Sequence, residues 1–406
     1  MVLKIKVFLK KHASLFVLGL ASVSFFILNI LLRDVLSAQE YGLYSILITY
    51  CSLISSFGLF GLDQVLLRTS IIEENKIIVD SRLISMLMFT VLFMASISSS
   101  IISKYYDFGI SYFSLILLSI FMILIKLSYQ ISRLLSKFVL SQLTLNLWKF
   151  GLPIIVLLSV CMGFDVKFLL IIKYLFYCCL FSLVSYFLFY SNIKFKILEY
   201  SQKDLMKLAF GFFLTLLTLS VINFSDRFIV ERKFGLEELG YYFFYVNLFL
   251  YPFTFFSTYI GFRELVAFKK EFSMEVLNNK LIQATKLSIL FGVIYSLFIV
   301  ILEFLTIYDF NLYNYTLLIL LLILWGIIKV VASLLSSAIG ALSSQQDLNR
   351  INILSIILIL SFGLVLFLCH SITTIVIFFI IVWILRYGFY YILLIKKINI
   401  NFKKIC

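Results

Sequence analysis

Charge is the scarcest ingredient of this 406-residue chain, since Asp, Glu, Lys and Arg together make up only 13% of it. A soluble domain of that composition could not cover its surface with polar groups, so a water-soluble fold is excluded. Acids are the rarer sign, 20 against 34 bases, which leaves a formal charge of +14. Proline and histidine occur twice each. The cysteines have neither CxxC nor CxxH spacing, and Cys51, Cys161, Cys178, Cys179 and Cys369 sit in apolar runs, as small hydrophobes do. Cys406 lacks the three following residues that a prenylation box needs. Glycine-rich phosphate loops, nucleotide motifs, zinc signatures and nucleophile constellations are all missing, which removes ATP hydrolysis by this chain as a source of energy. No cofactor and no metal is expected.

What fills the chain is apolar: 63% of it is hydrophobic and 18% aromatic. A membrane span needs about 20 apolar residues. Twelve runs qualify, at 13–32, 43–67, 83–102, 112–135, 139–161 and 168–190, then 208–229, 243–261, 287–308, 315–338, 351–369 and 372–395. The expected fold class is an all-α polytopic membrane protein of about twelve helices. The first run follows Lys4–Lys11 but is long enough to span and has no small-residue cleavage site, so it reads as a helix and not as a signal peptide.

The basic residues test that count. With the N-terminus inside, inner segments hold Lys4, Lys6, Lys10 and Lys11, then Arg68, Lys76 and Arg82, then Arg133 and Lys137, and further clusters at 194–207, 263–286, 350 and 396–404. Outer segments hold only Arg33, Lys104, Lys167, Arg227, Arg232 and Lys233. A bias of about four to one, sustained loop after loop, supports twelve spans with both termini cytoplasmic. The positive charge is therefore topological, and nucleic acid is excluded as a partner.

One passage has an echo. RDVLSAQEYGLY, from Arg33, aligns without a gap with ERKFGLEELGYY, from Glu231, matching Glu40 with Glu238, Gly42 with Gly240 and Tyr44 with Tyr242. A repeat at fixed offset divides the chain into similar halves: a six-helix bundle at 1–193, a basic linker at 194–207 and a second six-helix bundle at 208–406. Six spans per half makes the repeats parallel, with a substrate path between them. The ExGxY element reads as an outer turn, its glycine suiting the bend and its tyrosine sitting at headgroup level.

LLRDVLSAQEYGLYSI, FGLFGLDQVLLR and SDRFIVERKFGLEELGYY together resemble the polysaccharide (O-antigen, Wzx-type) flippases of the multidrug/oligosaccharidyl-lipid/polysaccharide exporter superfamily. One departure is that helix seven of such proteins often opens with proline, where this chain reads KLAFGFF with Gly211. The resemblance implies a V-shaped, MATE-like pair of bundles in the bacterial inner membrane. It also implies movement of an undecaprenyl-diphosphate-linked oligosaccharide by alternating access. Membrane lipids, a polysaccharide polymerase and a chain-length regulator are the implied partners, and proton or sodium coupling the implied energy source.

Charges inside spans are costly and mark function by default. Lys126, Lys149 and Lys329 fall near mid-span, Arg386 slightly inward and Lys173 toward an outer end. The functional reading makes them the lining of a cationic cavity for a diphosphate and its sugars. The structural alternative is snorkelling or internal ion pairs, against which stands the shortage of nearby acids. Asp226, Arg227, Glu303 and Asp63 are candidates for coupling or for an outer gate. Asn29, Gln130, Asn146, Asn223 and Asn247 either meet sugar hydroxyls or hold helices together. Two other classes remain open: a drug exporter of the same superfamily, whose cavity should carry acids, and a membrane-embedded glycan polymerase or ligase, which should carry a large outer loop.

Overall fold

The computed structural model describes residues 2–73, 76–188, 193–196, 201–306, 308–342 and 345–402. The side chains of Lys4, Lys6, Lys10, Lys11, His12, Lys269, Lys270, Lys397, Lys403, Lys404 and Cys406 lie outside the described set. The helices are α1 (Val2–Val35), α2 (Ala38–Phe57), α3 (Leu62–Thr69), α4 (Ser81–Tyr105), α5 (Tyr112–Leu134), α6 (Phe138–Cys161) and α7 (Phe168–Leu188). They continue with α8 (Gln202–Tyr245), a π-helical turn (Val246–Leu250), α9 (Tyr251–Lys270), α10 (Met274–Phe304), α11 (Thr316–Leu342), α12 (Gln345–Leu368) and α13 (Ile372–Phe402).

Ten helical stretches among the described residues are long and apolar enough to cross a membrane. One of them, Gln202–Leu265, is 64 residues long, about twice what a bilayer accommodates. It is two spans, because Gly235 breaks the helix with φ 86° and ψ 177°, a conformation open to glycine and costly for other residues. Dividing that stretch and counting the 24-residue α12, whose apolar part is the shorter Asn349–Ser361, brings the described residues to about twelve spans. The protein is a multi-pass membrane protein. Its outward faces are apolar, as along α10, where Leu287, Leu290, Ile294, Leu297 and Ile301 are all exposed; the solvent for such faces is lipid.

The second span is not one helix. α2 ends at Phe57, and Phe60 (φ 51°) and Gly61 (φ 74°) turn the chain before α3 begins. Broken helices are tolerated at membrane depth only where protein or a cavity covers the freed backbone; here Gly61 sits against the Ala209 carbonyl. A small sheet is the one addition to the all-helical expectation. β1 (Ile71–Glu73) pairs antiparallel with β2 (Lys76–Asp80), which pairs parallel with β3 (Ile193–Lys196). These segments are rich in isoleucine and too short to span, and the sheet ties the loop after α3 to the segment following α7.

The described chain packs as two compact units, Met1–Gly240 and Tyr241–Cys406. Most of α8 therefore packs with the first unit, along α2. Phe213 stacks on Phe60 at 4.1 Å between centroids, the Ser220 hydroxyl donates to Ser56 Oγ at 2.8 Å, and Arg227 Nη1 donates to Thr49 Oγ1 at 2.7 Å.

At the far end of that seam the repeated motif corrects its sequence reading. Ser37 N-caps α2, and Glu40 returns the bond in a capping box, so Gly42 and Tyr44 lie within the helix and not in a turn. Gly240 and Tyr242 are likewise helical, after the break at Gly235. Both tyrosines are fully buried instead of lying at headgroup level. The glycines serve close approach. A Cβ on Gly42 would lie 2.0 Å from the Leu236 carbonyl oxygen, and one on Gly240 would lie 2.5 Å from that of Ala38. Leu236 is to Gly240 what Ala38 is to Gly42, so the two copies of the motif cross reciprocally, as an isologous contact does. Removing the cap with Ser37→Ala is expected to cost about 1 kcal/mol, read as a small fall in melting temperature of the detergent-purified protein.

Candidate functional site

In the first unit the functional side chains gather where α3 faces α5. Lys126, Tyr129, Gln130 and Arg133 recur at the spacing that places them on one face of α5. Lys126 Nζ lies 5.0 Å from the Tyr129 ring centroid, and the Arg133 guanidinium carbon 5.4 Å. Arg133 Nη1 donates to Gln130 Oε1 at 3.1 Å. Gln130 Nε2 then donates to Asp63 Oδ2 at 2.8 Å, with Gln64 Nε2 donating to the same oxygen at 3.0 Å. Asp63 is only 1% exposed, and its second oxygen, Oδ1, has no hydrogen-bond partner.

Asp63 is thus one acid near Lys126 despite the shortage of acids along the spans. The charges acting on Lys126 are Asp63, of opposite sign, and Arg133, of like sign. Sequence distance hid the pairing, because the acid comes from a short helix that exists only through the break at Gly61. Elsewhere in the unit Lys149 Nζ lies 5.5 Å from the Trp148 centroid and 5.9 Å from that of Phe25. Those two rings meet edge to face at 5.8 Å and bind α1 to α6.

Lys173 is not brought to these groups. It is exposed on α7, in a stripe with Leu169, Tyr177, Phe181 and Val184. That is a lipid-facing stripe, and a lysine there extends its stem along the helix toward the interface. Asp226 is buried, and Arg227 adds a contact over the Phe224 ring, at 5.5 Å, to its bond with Thr49. One helical turn on, Glu231 accepts from the Tyr106 hydroxyl at 2.5 Å. Burial first, and this bond to a carboxylate second, raise the Tyr106 phenol above its ordinary value. The Tyr106–Glu231 pair went unread in the sequence, since nothing in either segment points to the other.

In the second unit the side chains gather between α11 and α13. Lys329 Nζ is 4.9 Å from the Trp325 centroid and 5.4 Å from that of Trp383. The Arg386 guanidinium carbon is 5.8 Å from the same Trp383 ring and 5.3 Å from Tyr390. Both indoles are wedged in place, Trp325 against Phe379 and Trp383 against Tyr387. Arg386 Nε donates to the Tyr390 hydroxyl at 2.9 Å. Glu303 is remote in role: it closes the turn after α10 by accepting from the Leu312 amide at 3.2 Å.

The amide side chains mostly bond back to their own helices, and the Tyr41–Asn29 bond joins two of them, α1 and α2. Asn29 donates to the Phe25 carbonyl and accepts from Tyr41, Asn146 donates to the Gln142 carbonyl and Asn247 to that of Phe243. No group of three or more His, Cys, Asp or Glu side chains that could hold a metal ion occurs among the described residues.

Residues 30–263 match the family described as polysaccharide biosynthesis protein. The chain belongs to that family. The match runs from α1 into α9, so it includes the Asp63 cluster and the repeated motif, whereas the α11–α13 cluster lies beyond it. No curated protein matches this family member over its sequence. Its fold, however, is shared by solved transporters. The inward closed lipid II flippase MurJ is 18% identical with a TM-score of 0.61, over 94% of this chain and 87% of that one. An outward-facing multidrug resistance MATE family transporter of the MOP superfamily is 12% identical with a TM-score of 0.58, over 95% and 94%. An inward-facing one is 13% identical with a TM-score of 0.56, over 93% and 94%. At those identities the likeness establishes the fold alone.

Proposed function

We propose that this protein is a flippase that carries an undecaprenyl-diphosphate-linked oligosaccharide, an O-antigen or capsule repeat unit, across the bacterial inner membrane by alternating access. The observation that carries this reading is a set of cations held within its spans, three half-buried lysines and the buried Arg386. On a transporter fold within a polysaccharide biosynthesis family, Lys126, Lys149, Lys329 and Arg386 are set on aromatic rings inside the membrane. Such groups suit a substrate that brings its own negative charge, as a diphosphate does. A cavity for cationic drugs would carry carboxylates instead, and the buried Asp63 is already engaged by Gln130 and Gln64 beside Lys126. In this reading both termini are cytoplasmic, the lipid tail stays in the bilayer, and a polymerase and chain-length regulator act on the product. Asp63, Asp226, Arg227 and Glu303 are the groups through which a proton or sodium gradient would act.

The test is made in the native host. Deleting the gene should abolish surface polysaccharide and trap the lipid-linked unit in the cytoplasmic leaflet. The intact gene should restore export, while Lys126→Ala and Lys149→Ala, made at normal abundance, should restore under about a tenth of it, the loss expected when one charged contact disappears. If the deletion strain still flips its lipid-linked unit but leaves it unpolymerised, the protein is a polymerase and the proposal fails.

A further inference from the structure

We infer that the α11–α13 cluster is an oxyanion-binding site, built to receive a carboxylate or phosphate group of the substrate between Arg386 and the indoles of Trp325 and Trp383. This inference rests on the transport reading for the origin of its ligand, and on the geometry of the second unit for its existence.

Arg386 is 4% exposed and carries five N–H donors on its guanidinium. A buried cation is expensive unless it is paired and its donors are filled. Neither condition holds. None of the ion pairs among the described residues includes Arg386. Its Nε is used by Tyr390, but Nη1 has no hydrogen-bond partner. Two further buried donors of the cluster, Nε1 of Trp383 under Arg386 and Nε1 of Trp325 under Lys329, also lack acceptors among the described residues. Contact with two aromatic rings recovers only part of the cost.

The first unit shows what a satisfied version looks like. There too a lysine and an arginine share one ring, Tyr129, but Arg133 is linked through Gln130 to the carboxylate of Asp63. In the second unit the arginine that shares Trp383 with Lys329 has no such link. Three buried N–H donors without an acceptor, one of them on a fixed positive charge, make a site whose complement is a group with several acceptor oxygens and negative charge. Arginine's planar fork matches carboxylate and phosphate geometry. Two parts of a lipid-linked glycan supply that chemistry: the diphosphate headgroup and an acidic sugar.

Purified full-length protein in detergent would be titrated with inorganic pyrophosphate and, separately, with glucuronate, following the melting temperature. The variants are Arg386→Gln, Arg386→Lys and, as a cation exposed on α7 outside both clusters, Lys173→Gln. The intact protein should be stabilised by at least one probe. Arg386→Gln should raise the half-saturating concentration of that probe by at least about tenfold, the loss of one charge-assisted hydrogen bond, with Arg386→Lys intermediate. Lys173→Gln should leave either response unchanged; a response to glucuronate marks an acidic sugar as the ligand group, whereas a response to pyrophosphate alone marks the headgroup. Without ligand, Arg386→Gln should melt at the same or a higher temperature, because it removes a charge the fold does not neutralise. Absence of any anion response in the intact protein overturns the inference. So does a response that survives Arg386→Gln. The titration reads binding and not movement. A negative translocation test with the anion response intact would therefore sink the flippase reading and leave the site standing.

Discussion

Replacing Gly240 by valine is expected to abolish polysaccharide export and to lower the melting temperature of the purified protein by more than any other single substitution considered above. An added Cβ alone would stand 2.5 Å from the Ala38 carbonyl oxygen and 3.4 Å from the Gly42 amide nitrogen. Carbon does not approach carbonyl oxygen that closely, and the obstacle is backbone in a helix, which cannot step aside as a side-chain tip does. The two helix starts must move apart, opening the contact around Tyr44 and Leu239, both of which are fully buried. Overpacking of this kind costs about 3 kcal/mol or more. Gly42→Ala should behave in the same way, since its Cβ would be 2.0 Å from the Leu236 carbonyl oxygen. Gly388→Ala provides the comparison, as nothing lies within 4 Å of a Cβ there and alanine favours helix by about 0.5–1 kcal/mol over glycine. Equal stability of Gly42→Ala, Gly240→Ala and Gly388→Ala would refute the crossing.

The second large effect is expected at Asp63. Changing it to leucine removes the acceptor of both Gln130 and Gln64 and leaves Lys126 and Arg133 without the nearby carboxylate. Breaking a buried charge network from one side costs about 3–5 kcal/mol. Asp63→Asn keeps an acceptor oxygen while deleting the charge, so it should cost less, about 1–3 kcal/mol. The diagnostic experiment is the double variant. If Asp63 balances Arg133, then Asp63→Asn combined with Arg133→Gln should be more stable than the two single losses added together, because groups in one network couple. Strict additivity of the melting shifts would show that Asp63 is merely a polar residue held by two amides.

The number and placement of the spans were legible in the sequence because hydrophobic length and the sidedness of Lys and Arg are one-dimensional signals. The repeat was legible for the same reason: Glu40, Gly42 and Tyr44 return as Glu238, Gly240 and Tyr242. Its meaning was not. Glycine next to an acid and a tyrosine reads as a turn until the structure places Ser37 as the cap, with both glycines one turn inside their helices and against each other's backbone. The cations were found by type and depth alone, but which of them face protein and which face lipid depends on helix rotation. Periodicity does not fix that in α7, where nearly every position is apolar; hence Lys173 was grouped with Lys126.

Composition and pattern thus determined by themselves that this chain is a multi-pass membrane protein of about twelve spans, with a repeated motif and basic groups inside its spans. Those properties are sums over local sequence, and lipid enforces them strongly because any unpaired backbone or exposed charge is costly there. Only tertiary structure decided that Asp63 joins the cluster of Gln130 and Lys126, that no ion pair among the described residues includes Arg386, and that the repeated glycines cross. Each of these depends on segments far apart in the chain, at distances of a few ångströms that no spacing along one helix encodes.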